Sequence, residues 1–265
     1  PHNQTALIVS GGPYLNIKEL KDTIKENPGC KVVCVKHSYN KLLENNIKPW
    51  ACVLLDPRPI TGISTHGIMR KDLFKKVDPS TKFFVASMTD PSVTEHLIKK
   101  KADIYGWHAF TESLREEDER GIQIINNQVH LIDELGIPQG STLITGGTCA
   151  AMRAIGIMNT MGFREMHLFG FDCSMEEPTE KQMEETTGAE DEEPKSKYMK
   201  VTVNDKDFWT TGELLAMAQD CERTFRDDNS AINFTYHGEE TMVAELWEII
   251  ESERPLPNFK EVFDD

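Results

Sequence analysis

Two paired-glycine turns and a few charged residues at strand ends carry the chemistry that this sequence can offer. Ser10-Gly11-Gly12-Pro13 follows the apolar run Ala6-Leu7-Ile8-Val9, and Thr145-Gly146-Gly147-Thr148 follows Leu143-Ile144. In an open α/β sheet such turns lie at the carboxyl ends of strands, where free backbone amides and helix N-termini favour an anion, so two of them suggest a nucleotide site. A glycine pair also makes an ordinary tight connection, and Thr148 can cap the helix that follows as well as offer a hydroxyl to phosphate. Asp56 and Asp172 end separate strands, where a carboxylate can hold a ribose hydroxyl, a Mg²⁺ ion or an acceptor proton, or simply form a turn. Arg58 stands two residues beyond Asp56, placed to neutralise phosphate charge or to lie on the surface. His108, after Tyr105-Gly106-Trp107, is the best general base among eight histidines, whereas His167 sits between Met166 and Leu168 and reads as structural.

The elements that must position these groups alternate. Thr5–Ser10 reads as a buried strand, Asn16 caps a helix with Ile17, Leu20 and Ile24 on one face, and Asn27-Pro28-Gly29 stops it. Strands over 31–36 and 51–55 enclose a short helix at 41–45; a strand at 82–87, a helix at 91–100 and a strand at 103–107 follow. The second half repeats the logic: strand 142–145, helix 148–161 closed by Gly162, strand 165–170, a helix capped by Thr210 with Glu213, a strand at 232–236 and a last helix at about 239–252. Cys149, Ala150, Ala151 and Ala154 are small enough to bring their helix close to the sheet. The expected fold is α/β, a Rossmann-like three-layer α/β/α arrangement with a mostly parallel sheet, and residues 1–265 show no convincing internal boundary, so a single domain is expected.

The chain has 265 residues and a net charge of −15. Nine carboxylates between Glu176 and Glu193, against Lys181 alone, supply more than half of that excess. With Pro178, Gly188 and Pro194 and little apolar content, the tract reads as an acidic mobile loop or lid spanning about 174–207, and none of its carboxylates is assigned as a metal ligand. The rest is mildly acidic and has no basic stripe, which excludes a nucleic acid polymer as partner. No segment approaches the roughly 20 apolar residues of a membrane span. Pro1-His2-Asn3-Gln4 carries no signal-peptide apolar region, and the six cysteines form no C-x-x-C pair, so reduced thiols and a cytoplasmic location are expected.

Several nucleotide and hydrolase signatures are missing. The first turn is not G-x-G-x-x-G, and the second strand ends in Lys36-His37 rather than an acid, which argues against NAD. There is no P-loop, no G-x-S-x-G elbow and no H-E-x-x-H helix. What is present, Ser10-Gly11-Gly12-Pro13-Tyr14-Leu15, the Asp56-Pro57 strand end, and Gly146-Gly147-Thr148-Cys149-Ala150-Ala151 followed by Leu168-Phe169-Gly170-Phe171-Asp172-Cys173-Ser174, resembles the MptE-like 6-hydroxymethylpterin diphosphokinase family, which includes the core domain of motility accessory factors. The resemblance spans most of residues 5–225, and its second block is the specific part.

That resemblance implies a Rossmann-like domain related to bacterial sialyltransferases, with a nucleotide-activated donor and no covalently bound cofactor. Three functions follow as expectations. The first is a glycosyltransferase with a CMP-sugar donor: Ser10, Gly11, Gly12, Pro13, Asp56, Arg58, Thr145, Gly146, Gly147 and Thr148 bind the nucleotide or its phosphate, and of the catalytic pair His108 and Asp172 the Asp172 strand end shapes the sugar or ribose site while His108 deprotonates the hydroxyl of a small-molecule or glycan acceptor. The second is a Mg²⁺-dependent ATP:6-hydroxymethylpterin diphosphokinase with Asp56 and Asp172 on the metal, and the third a non-catalytic binding protein on the same fold. The related sialyltransferases carry a catalytic histidine shortly after their lid, whereas this chain has no histidine between Ser174 and Tyr236. His237 comes next, which leaves His108 or a carboxylate to activate the acceptor.

Overall fold

The computed structural model of the chain describes residues 3–60, 73–110, 143–183, 186–187, 195–227 and 231–254. Among the described residues the seven strands of the main sheet are all parallel and flanked by helices, so the α/β Rossmann-like expectation holds. The chain divides into two compact units, Pro1–Val32 with Phe163–Asp265, and Val33–Gly162. Among the described residues no helix is long and apolar enough to cross a membrane.

In the first unit β1 (Thr5–Val9) lies parallel to β6 (Glu165–Phe169), and β6 to β11 (Asn233–His237). Ala6, Leu7, Ile8 and Val9 are all fully buried, as a strand covered on both faces requires. α1 (Ile17–Glu26) starts where the Asn16 side chain accepts from the amides of Lys18 and Glu19, both at 3.1 Å, and ends before Gly29 at φ +88°. α6 (Gly212–Phe225) and α7 (Met242–Glu253) bring Phe225 and Trp247 against Phe234 and Tyr236.

The second unit begins within β2 (Lys31–Val35), at Val33, and runs through α2 (Lys36–Glu44), β3 (Ala51–Leu54), β4 (Lys82–Ala86), α3 (Pro91–Lys99) and β5 (Asp103–Trp107), with α4 (Ala150–Thr160) closing it. Tyr39, Phe74 and Phe83 form a buried aromatic cluster, their ring centroids 5.4–5.9 Å apart. Ala151 and Ala154 are buried, and a Cβ on Gly156 would overlap the carbonyl oxygen of Thr145, so the small residues of α4 do serve close packing.

Local differences from expectation have local causes. α2 begins at Lys36 rather than 41, because Ser38 Oγ accepts from the Val35 amide and donates to its carbonyl, starting the helix with no loop after β2. Of the strand expected at 142–145, the described residues 143–145 form one parallel bridge, between Ala109 and Ile144. There the Ile144 carbonyl accepts from both the Phe110 amide and the Arg153 guanidinium, and Gly146 at φ +132° turns the chain away. The cap of α6 is Thr211, not Thr210: β10 (Lys206–Thr211) continues one residue further, burying Thr210 with its hydroxyl donating to the Cys173 carbonyl.

Within 174–207 lie a single turn, α5 (Glu180–Met183), the short pair β7 (Thr186–Thr187) and β8 (Lys195–Ser196), and β9 (Tyr198–Val203), which forms an antiparallel hairpin with β10. Asn204 and Asp205 turn that hairpin at φ +51° and +60°. Asn204 and Lys206 donate to the buried Glu245 carboxylate of α7 at 2.9 and 2.5 Å, tying the hairpin to the helix. Much of the acidic tract, including 188–194, lies outside the described residues.

Candidate functional site

The first glycine turn is held by the end of β6. The Ser10 amide donates to the Phe169 carbonyl at 2.8 Å, the Gly12 amide to Gly170 at 3.0 Å and the Tyr14 amide to Asp172 Oδ2 at 2.7 Å. Pro13 has no amide to offer, so most of the N–H groups expected to meet an anion are already engaged. Gly12 is required by a different neighbour from a phosphate: a Cβ there would overlap the Asp172 carboxylate and lie 2.5 Å from the Gly170 carbonyl oxygen. Asp172 itself is 2 % exposed. Its carbonyl accepts from Ser174 Oγ at 3.2 Å, and Ser174 Oγ in turn accepts from the first amide of α7, that of Met242, at 3.2 Å. Asp172 thus acts in this unit as a fastener between the glycine turn and the β6 strand end.

The surroundings of that fastener are acidic. Burial raises the Tyr14 phenol above its ordinary value, and Glu176, Asp172 and Glu240 raise it further. Burial likewise pushes the Tyr236 phenol far up, and its hydroxyl pairs with Thr241 Oγ1 at 3.0 Å.

On the α1 face of the same unit stands a chain of three side chains. His237 Nδ1 meets Glu19 Oε1 at 2.8 Å, His237 Nε2 meets His167 Nδ1 at 2.8 Å, and the His237 ring stacks on Phe169 with centroids 4.1 Å apart. With Glu19 accepting from His237 Nδ1–H, His237 Nε2 is left to accept from His167 Nδ1–H. Burial first, and then His237, lower the pKa of His167, against the smaller opposing effects of Glu165 and Glu26. Both ring nitrogens of His237 are therefore committed, and His167 takes the structural role its setting suggested.

The second unit holds the opposite charge balance. Asp56, 3 % exposed just beyond the end of β3, accepts at Oδ1 from the Arg58 amide and from Arg58 Nε, both at 2.9 Å, and at Oδ2 from Arg58 Nη2 at 2.8 Å. Lys36, the residue following β2, makes a second ion pair to the same Oδ2. The sequence sets Asp56 and Arg58 two residues apart, whereas Lys36, which there only argues against NAD, reaches them through the fold. A cation at the end of one strand, with an Asp-x-Arg at the end of the next, was the signal. Burial and then the neighbouring Arg58 lower the Lys36 ammonium to about 8.

The second glycine turn packs against its own helix, a Cβ on Gly146 falling 2.9 Å from the Met152 carbonyl oxygen. Thr148 does not cap α4: the cap position is Cys149, which makes no side-chain cap bond, so the extended residue before the helix comes one later than expected. Arg153 of α4 donates to the carbonyls of Phe110 and Ile144 at 2.6 and 2.7 Å. His108 is half-buried, and its carbonyl accepts from the Ile144 amide at 2.9 Å, which sets it beside Thr145 at the start of the turn.

A family model described as 6-hydroxymethylpterin diphosphokinase MptE-like matches residues 1–178, two thirds of the sequence. The chain belongs to the MptE-like family. The match takes in both glycine turns, Lys36, Asp56, Arg58, His108 and Asp172, and ends before the β9–β10 hairpin. No curated protein matches the chain. Among solved structures, this MptE-like chain is similar to one titled as the MAf glycosyltransferase from Magnetospirillum magneticum AMB-1, with a TM-score of 0.54 and 16 % identity. The likeness covers 94 % of the present chain and 37 % of that protein, and at this identity it speaks for the fold.

Proposed function

We propose that the chain is a nucleotide-binding transferase that uses a phosphate-activated donor, with glycosyl transfer from a CMP-sugar to a hydroxyl of a small molecule or glycan as the leading reaction. Membership of a family named for diphosphate transfer and a fold shared with a glycosyltransferase both support a phosphate-bearing donor. The observation that carries the reading is the Arg58–Asp56 pair at the carboxyl edge of β3, with Lys36 beside it: two cations against one carboxylate, where open α/β sheets receive anionic ligands. In a single displacement, positive charge there stabilises the leaving phosphate as the glycosidic bond to it breaks. His108, half-exposed beyond β5, accepts the acceptor hydroxyl's proton, while Asp172 keeps the glycine turn in shape.

The diphosphokinase reading needs Mg²⁺ between Asp56, Asp172 and ATP. Their donor set fits it poorly, since both Asp56 oxygens are bound to cations and Asp172 Oδ2 to an amide. Thermal-shift titration with CMP, CDP, UDP and ATP, each with and without Mg²⁺, separates the readings. Metal-independent stabilisation by CMP, about 2.7 kcal/mol at a hundredfold excess over Kd, is expected. A shift with ATP only when Mg²⁺ is present supports diphosphate transfer, and no shift with any of the four supports a non-catalytic protein.

A further inference from the structure

Asp56 is already fully satisfied by one residue and one further contact. Its Oδ1 takes the Arg58 amide and Nε, and its Oδ2 takes Arg58 Nη2 and Lys36 Nζ, which fills the four acceptor positions of a carboxylate. Arg58 alone would neutralise it, bidentate and in planar register. Lys36 is surplus by that count. Its side chain is 11 % exposed, it has three N–H donors, and among the described residues Asp56 is its acceptor. Placing a second cation beside Arg58 in a poorly solvated position destabilises the free protein, as burial costs an ion more than one shared oxygen returns. Asp56 and Arg58 adjoin Lys36; the Asp90 amide donates to the Asp56 carbonyl at 3.2 Å, and the Asp90 carboxylate accepts at Oδ1 from the Ser92 amide and hydroxyl at 2.9 and 2.6 Å rather than from Lys36. Among the three groups in direct contact, Lys36 and Arg58 bring two positive charges against the one negative charge of Asp56.

Resting on the transferase reading above, we propose that Lys36 is a phosphate-binding residue: together with Arg58 it takes the donor's phosphate, and Asp56 is the internal counter-ion that holds both cations in place until that phosphate arrives. In the free protein burial and Arg58 hold the Lys36 ammonium down to about 8. An added phosphate supplies the missing charge and restores the ordinary lysine value, so the ligand must bring a proton with it above pH 8. At pH 9 the ligand therefore takes up protons as it binds, because a lysine lowered to about 8 returns to its ordinary range.

The test is isothermal titration of the full chain with CMP at pH 9, where the ligand's phosphate is fully ionised, in two buffers of different ionisation enthalpy. Wild type is expected to bind with net proton uptake; Lys36→Arg keeps the affinity and loses the uptake, because arginine stays protonated; Lys36→Met weakens binding at least tenfold. Should Lys36→Met fail to fold, the wild-type and Lys36→Arg proton counts carry the test. Binding by wild type with no uptake, or Lys36→Met binding within twofold of wild type, overturns the role of Lys36 and leaves the transferase reading standing. Absence of binding by CMP and by ATP with Mg²⁺ overturns that reading and this one together.

Discussion

Replacing Gly12 by alanine tests whether Asp172 or a ligand dictates the first glycine. The new methyl group would overlap the Asp172 carboxylate and press the Gly170 carbonyl at 2.5 Å, and neither neighbour is free to yield. Asp172 is 2 % exposed and bonded to the Tyr14 amide at 2.7 Å, while the Gly170 carbonyl is held by the Gly12 amide at 3.0 Å. Overpacking a rigid site costs about 1–3 kcal/mol, and driving the carboxylate off a backbone amide costs about 1.5–3 kcal/mol more, so Gly12→Ala loses roughly 3–5 kcal/mol. Asp172→Ala alone loses about 2 kcal/mol, the charge-assisted bond to Tyr14. In the double variant the methyl no longer meets a carboxylate, and only the Gly170 contact remains. The two changes are therefore coupled by about 2 kcal/mol, the double variant being that much more stable than the sum of the singles. Urea unfolding of the four proteins without ligand measures the coupling. Additivity within about 0.5 kcal/mol would refute the account, returning Gly12 to the role of a ligand-approach glycine.

Three other outcomes are expected. Asn16→Ala removes the cap that receives two α1 amides and lowers stability by about 1 kcal/mol in thermal or urea unfolding. Because His167 binds its proton less readily when folded than when unfolded, the unfolded chain gains protons first on acidification. Stability is retained above the ordinary histidine value and lost as pH falls below it, and a His167→Gln variant flattens the melting profile between pH 7 and pH 5. Glu245→Ala unties the β9–β10 hairpin from α7 and speeds proteolysis within 198–211 about fivefold, while cleavage elsewhere is unchanged.

Local chemistry made much of the fold legible. The runs Ala6–Val9, Val32–Val35 and Ala51–Leu54 are apolar on consecutive residues because parallel strands are covered on both faces, and they announce themselves without reference to partners. Asn16 and the Asn27-Pro28-Gly29 stop work within four residues of where they stand. Where one residue decides between neighbours, local signals fail: Thr210 and Thr211 are equally good caps in sequence, and only the pleat of β10 turns one inward and leaves the other at the helix start.

By itself the sequence determined an alternating α/β chain, the two glycine turns, and the nearness of Asp56 and Arg58 along the chain. Tertiary structure decided what those groups touch. The partner of the Tyr14 amide lies 158 residues along the chain, and the partner of Glu19 lies 218 residues away. Whether a glycine amide is free for a ligand or spent on a carbonyl, and whether a lysine is a surface charge or a surplus buried cation, depends on strands brought together from such distances. No periodicity records that, because the sheet order that creates these contacts is a property of the whole packed chain.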